Sequence, residues 1–232
     1  MKNINWKKLL LQVGIYCFGL LVLAFGVAFS VNSDLGVSPV NSMPYVFSQI
    51  FNVSMGTCVT VVFCGFILLQ ALILRKEFSL ISLTQILFST AFGYFVDFAK
   101  LVLGDFCLPT YVGRLGMLAI SIVLIAVGIY FYLLARLVPM PMEGLAMAIS
   151  KKAKKPFTTM KTVTDSVAVA LAAILAIVFL GRLDGVREGT LISALVIGKV
   201  IALIKKPLKP LEDRIWPEEN KNEREKTVVA SD

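Results

Sequence analysis

The chain has 232 residues, of which 57% are hydrophobic and 16% are charged, and its formal net charge is +8. A soluble globular domain averages about 45–50% apolar and about 25% charged residues, so this composition predicts an integral membrane protein. The absence of histidine excludes a histidine-based metal site or catalytic triad. The basic residues cluster at the borders of apolar segments, so we expect lipid headgroups and no nucleic acid as partners.

Six apolar segments are long enough to cross a bilayer: residues 9–31, 56–74, 80–103, 115–138, 160–181 and 189–204. If the N-terminus lies inside, all but four of the 23 Lys and Arg residues fall on the inner side. The positive-inside rule therefore predicts a multi-pass protein of the plasma membrane with cytoplasmic N- and C-termini. Residues 205–232 are expected to form a charged cytoplasmic tail.

A shorter helix is predicted between the first two spans. Ser38 and Pro39 are typical of a helix start, a hydroxyl cap followed by proline at the first helical position. A helix over residues 39–52 would be only about 20 Å long, whereas the hydrocarbon core is about 30 Å thick. This segment is therefore predicted to be re-entrant or interfacial. A second such segment, residues 139–152, lies between spans four and five.

The two short segments belong to an internal repeat. Shifting the chain by 102 residues superposes Pro39 on Pro141 and Ser48 on Ser150. Each unit contains three spans, an odd number, so the halves should face opposite ways across the membrane. The predicted fold is thus all-α, with six transmembrane helices, two short re-entrant or broken helices and an inverted 3+3 repeat. The expected boundaries are residues 1–204 for a single transmembrane domain, about 9–103 for repeat one and about 114–204 for repeat two.

Polar residues near the short helices form the candidate site. A charged side chain at the centre of a span costs about 2.5–3.5 kcal/mol and needs a partner or a wet cavity. Glu143 lies in the first turn of the second short helix, where the helix dipole favours an anion, and Asn41 is its equivalent in the first. We hypothesise a central cavity that binds a polar or cationic solute or carries a coupling proton. The candidate substrate-binding residues are Ser38, Pro39, Asn41, Asp97, Pro141, Glu143, Thr164 and Asp165.

Each acidic candidate also has a purely structural interpretation. A first-turn carboxylate stabilises its own helix, and an acid four residues from a lysine forms an ordinary intrahelical ion pair. The basic partners considered are Arg136 or Lys161 for Glu143, Lys161 for Asp165 and Lys100 for Asp97.

Three stretches carry a resemblance to a known family. Residues 34–39 followed by 54–57 are similar to an "LG-x-x-P … S-x-G" pattern, and residues 136–144 with Thr164 and Asp165 to an "LG-x-x-P-x-[D/E]-G … D" pattern. Residues 188–198 are similar to the closing span of the same proteins. The chain thus resembles the YczE/YitT-like family of small multi-pass membrane proteins, in particular its YczE branch. The resemblance implies a permease-like protein with no assigned substrate.

The favoured function is a secondary permease for a small solute that works by alternating access between inverted repeats, because matching broken segments are typical of such transporters. The alternative is a non-transporting accessory protein that binds or activates a partner, and a channel or lipid-handling role comes third. No enzyme motif is present, so we expect no catalytic residue, cofactor or metal. A homo-oligomer is compatible with the sequence.

Overall fold

Eight α-helices form the described part of the chain, residues 6–217, which contains no strand. In chain order the helices are α1 (Trp6–Asn32), α2 (Pro39–Phe51), α3 (Met55–Leu74), α4 (Thr84–Leu103), α5 (Tyr111–Leu134), α6 (Pro141–Ala153), α7 (Phe157–Leu175) and α8 (Glu188–Ile215). Short 3₁₀ turns at Arg75–Glu77 and Leu80–Leu83 connect α3 to α4, and a π-helical stretch, Ala176–Leu180, extends α7. The predicted all-helical class is confirmed.

Five of these segments are long and apolar enough to cross a membrane, namely those built on α1, α3, α4, α5 and α7. The predicted sixth span, α8, is helical, but Lys199 interrupts its apolar run. It also continues to Ile215, eleven residues past its predicted end at Ile204. The side chain of Trp216 is buried and its Nε1 donates to the carbonyl of Leu134, 2.8 Å away, which ties the end of α8 to α5. The first part of the predicted tail is therefore helical, and residues 218–232 lie outside the described range.

The central feature of the bundle is the antiparallel pair α1 and α5. Their backbones approach closely at Gly19, where a Cβ atom would lie 2.8 Å from the carbonyl oxygen of Gly128. Further along α1, the carbonyl of Gly26 accepts a hydrogen bond from the hydroxyl of Ser121 on α5, 2.7 Å away. Contacts that advance along α1 therefore move backwards along α5. Helix α4 packs on the α1 side of this pair and α8 on the α5 side.

The two short helices lie near opposite ends of α3. Helix α2 is joined to the start of α3 by residues 52–54, whereas the carbonyl of Pro141, at the start of α6, accepts from Gln70 near the end of α3. Each short helix packs against both α3 and α7. Helix α2 begins at Pro39, as predicted, and α6 begins at Pro141, two residues after the predicted start of its segment. Proline suits the first helical position because it has no N–H to lose there.

Backbone conformation repeats at positions 102 residues apart. Asp34 and Arg136 both adopt left-handed backbone, with φ of 53° and 52°. Asn52 and Lys154, which end the two short helices, have φ of 52° in both cases. This conformation is uncommon outside glycine, and its recurrence at both matched positions indicates that the two half-chains follow one structural plan.

The halves differ in how their last two helices pack. In the first half, α3 and α4 are in close contact at Gly56 and Gly93, and Asp97 on α4 binds the start of α3. In the second half, α7 and α8 make no extended contact within the described residues. The positions equivalent to Gly93 and Asp97 hold Leu195 and Lys199, which provide neither a small surface nor an acceptor. The last two helices are thus in direct contact in the first half, whereas those of the second half are not packed against each other.

Candidate functional site

A half-buried ionic cluster joins α6 to α7. The ammonium of Lys161 lies 2.8 Å from Asp165 Oδ1 and 3.6 Å from Glu143 Oε1. The three side chains retain 17–25% of their exposure. Lys161 was considered from the sequence as a partner of each acid, and both of its pairs are present. Arg136, the other partner considered for Glu143, pairs with Glu212 on α8. With two carboxylates and one ammonium in their charged forms, the cluster has a net charge of −1.

Glu143 is incompletely paired. It is the third residue of α6, where the partial positive charge of the helix N-terminus stabilises a carboxylate. Its Oε2 atom is nevertheless buried and has no hydrogen-bond partner in the part of the chain that the structure describes. The phenol groups of Tyr16 and Tyr132 lie within electrostatic range of this carboxylate. Sequence reasoning missed Tyr16, because a tyrosine in the middle of an apolar helix carries no local signal of function.

A pair of buried glutamines holds the start of α6 in place. Gln70 Nε2 on α3 donates to Gln85 Oε1 on α4 at 3.1 Å and to the Pro141 carbonyl at 3.0 Å. Both glutamine side chains are almost fully buried. A Cβ atom at Gly144 would lie 2.6 Å from Gln70 Oε1, so glycine is needed there for the glutamine to reach the helix start. Three helices are thereby connected beside the ionic cluster.

We expect Gln70→Leu to lower the free energy of unfolding by about 1–3 kcal/mol, because it leaves the buried Gln85 Oε1 without a donor and removes the hydrogen bond that joins α3 to the Pro141 carbonyl. Denaturant or thermal unfolding of the purified protein in detergent would measure this loss. Thr90→Val is the control, since Thr90 is half-buried and its hydroxyl donates only to the carbonyl of Ile86 in its own helix. Equal unfolding of the two variants would show that the glutamine pair does not hold α6.

The equivalent residues of the first half lie at the start of α2. Pro39 is the first helical residue as predicted, but Ser38 does not cap the helix through its side chain. The Ser38 hydroxyl instead accepts from Asn41 Nδ2 at 3.0 Å. Asn41 Oδ1 is buried and lacks a hydrogen-bond partner among the described residues. Asn41 and Glu143, which are equivalent in the repeat, thus each have one unpaired buried acceptor oxygen.

Asp97 is not part of this cluster. Its carboxylate accepts from Ser54 Oγ and from the Gly56 backbone N–H, both at 2.7 Å, at the start of α3. Gly56 and Gln70 are fourteen residues apart on α3, about 21 Å along a helix. Asp97 therefore lies near the other end of α3 from the ionic cluster, and its hydrogen bonds are to α3 rather than to the Lys100 side chain considered from the sequence.

Thr164 lies beside the cluster but is already hydrogen-bonded. Its hydroxyl donates to the backbone carbonyls of Met160 and Lys161 at 3.0 and 2.9 Å. The structure therefore brings together Pro141, Glu143 and Asp165 through Gln70 and Lys161. It places Ser38, Pro39 and Asn41 together on α2, and Asp97 apart from both groups.

The fold and its buried polar groups define a helical membrane protein, and sequence comparison gives its family. Residues 10–206 match the family of unknown function DUF6198, and the chain belongs to this family. It is 30% identical to the uncharacterized membrane protein YczE of Bacillus subtilis (strain 168) over 150 residues, which cover 63% of this chain and 66%, just under two thirds, of YczE. It is 25% identical to the uncharacterized protein YyaS of the same organism over 187 residues, 80% of this chain and 88% of YyaS.

These relatives confirm the resemblance to the YczE branch that the sequence motifs indicated. No solved structure matches the chain.

Proposed function

We propose that this protein is a secondary permease of the plasma membrane that moves a small solute by alternating access between two inverted repeats. With α8 taken as the sixth span, the N- and C-termini both lie in the cytoplasm, because most Lys and Arg residues then fall on the cytoplasmic side. In this arrangement α2 enters from outside and α6 from inside. A proton or cation is the candidate coupling ion.

The contacts of the central pair support an inverted repeat. Gly19 touches Gly128, and Gly26 touches Ser121. Adding 102 to Gly19 gives Ser121, and adding 102 to Gly26 gives Gly128, so each contact is the repeat-equivalent of the other. Two equivalent helices that run antiparallel and exchange their contacts in this way are related by a pseudo-two-fold axis perpendicular to the helices. An axis in the membrane plane is the arrangement found in many secondary transporters.

The observation that carries the proposal is the matched pair of unpaired oxygens, Asn41 Oδ1 and Glu143 Oε2. Buried polar atoms in folded proteins are nearly always hydrogen-bonded, and an unpaired acceptor costs about 1–3 kcal/mol. Equivalent first-turn residues of the two short helices both depart from this rule. We interpret them as groups that bind a solute on its way between the two ends of the bundle.

Cysteine labelling tests this pathway without knowledge of the solute. Asn41→Cys and Glu143→Cys would be introduced into a variant lacking the four native cysteines, Cys17, Cys58, Cys64 and Cys107. We expect a membrane-impermeant maleimide to label N41C from outside in intact cells and E143C from inside in inverted vesicles.

The matched controls are Val46→Cys on α2 and Ala146→Cys on α6, whose native side chains are fully buried and apolar, and which should resist labelling from both sides. Labelling of N41C and E143C from the same side would overturn the inverted arrangement. Failure of both to react would favour the alternative role, an accessory protein that binds or activates a partner.

A further inference from the structure

The ionic cluster is present in only one half of the repeat. The positions equivalent to Lys161 and Asp165 are Val59 and Phe63, which are both fully buried in the apolar core, and Glu143 is replaced by Asn41. The same architecture thus packs with apolar residues at these places. Replacing a buried ion pair by apolar residues of suitable size is often neutral or stabilising, so packing alone does not explain three charges here.

The cluster lacks a positive charge and a hydrogen-bond donor. Lys161 is closer to Asp165 than to Glu143, by 2.8 against 3.6 Å, and a second lysine or an arginine is not paired with either acid in the described residues. Glu143 Oε2 is left without a donor. Tyr16 and Tyr132, the nearby titratable groups on α1 and α5, are neutral as phenols, and the amide nitrogen of Gln70 on α3 is already engaged.

We propose that Glu143 binds the charged nitrogen of a small organic ammonium ion, and that Lys161 partly occupies this place while the site is empty. The inference rests on the proposed function and specifies its substrate class. A protonated amine supplies the two things that the cluster lacks, a second positive charge and N–H donors for Glu143 Oε2. When the ligand binds Glu143, Lys161 keeps its shorter ion pair with Asp165, so no charge is left without a partner.

Thermal unfolding of the purified protein in detergent measures the binding, because a ligand that binds only the folded state raises the unfolding temperature progressively as its concentration exceeds the dissociation constant. The probes are methylammonium chloride and tetramethylammonium chloride at equal ionic strength. Methylammonium should raise the unfolding temperature and tetramethylammonium, which has no N–H donor, should not.

Two substitutions define the site. Glu143→Gln should abolish the response to methylammonium while the Lys161–Asp165 pair remains. Lys161→Gln removes the resident cation and should tighten the apparent dissociation constant by about tenfold, since the competent form is then always available. Lys199→Gln is the control, because Lys199 is exposed on α8 and its removal should leave the response unchanged.

The triple variant E143N/K161V/D165F carries the residues of the first half and should fold without responding to either salt. If Lys161→Gln does not fold, comparison of the wild type with Glu143→Gln still decides the matter. Equal responses of these two proteins, or no response of the wild type and Lys161→Gln, would overturn the proposal. Positive cysteine labelling without an ammonium response would refute only the substrate class, whereas the reverse result would identify a binding protein that does not transport.

Discussion

Gly56→Val should prevent α3 and α4 from packing and lower the free energy of unfolding by at least about 3 kcal/mol, the upper range for overpacking a core. A Cβ atom at this position would collide with the backbone carbonyl of Gly93 and lie 2.6 Å from the Asp97 carboxylate. Backbone atoms cannot rotate away as the end of a side chain can, so the helices must separate. Unfolding in detergent and the yield of folded protein would both report the change.

Gly65→Val is the control on the same helix, since a Cβ atom there has no neighbour within 4 Å. Both variants place a β-branched residue in α3, so the difference between them isolates the contact with α4. Similar stabilities of the two proteins would contradict the close approach at Gly56.

Asp97→Ala should lower the free energy of unfolding by about 3 kcal/mol, because it removes two hydrogen bonds to a charged acceptor. Ser54 and the N–H of Gly56 then lose their acceptor at the start of α3, where backbone donors have no intrahelical partner. The effect is measured by unfolding of the purified protein.

Asp97→Asn serves as the intermediate case, since an amide oxygen still accepts one of these hydrogen bonds. It should therefore lose only about half of the unfolding free energy that Asp97→Ala loses. The same variant separates structure from transport. Solute uptake that is lost in a stable Asp97→Asn protein would assign Asp97 to the pathway, whereas uptake that follows stability would limit it to holding α3.

Local signals in the sequence predicted the helices well. The prolines at positions 39 and 141 marked the short helices, and their 102-residue spacing indicated a repeat with which the left-handed backbone of Asp34 and Arg136 agrees. The Lys161–Asp165 pair was predictable because residues four apart lie on one helix face. Helix starts and pairs four residues apart depend only on nearby residues, and a repeat is found by comparing the sequence with itself, so these features can be predicted without knowledge of the fold.

Contacts between distant segments were not predictable in the same way. Asp97 binds atoms 41 and 43 residues earlier, and Gln70 binds a carbonyl 71 residues later. Which helices adjoin is decided by the packing of whole faces, and a single sequence does not state it. The helical continuation after Ile204 was missed for another reason: Pro207 and Pro210 indicated a helix end, yet α8 tolerates both.

The unequal packing of the two halves has a mechanical consequence. Hydrogen bonds to the Asp97 carboxylate and the close backbone approach of Gly56 and Gly93 hold α3 against α4. By contrast, α7 is joined to α8 chiefly through the connecting residues 181–187. In the proposed transport cycle, α3 and α4 would therefore stay together as one rigid unit that also holds the start of α6, and α7 would be free to move relative to α8. If the protein transports a solute as proposed, a covalent bridge engineered between α7 and α8 should stop transport, whereas one between α3 and α4 should leave the transport rate unchanged.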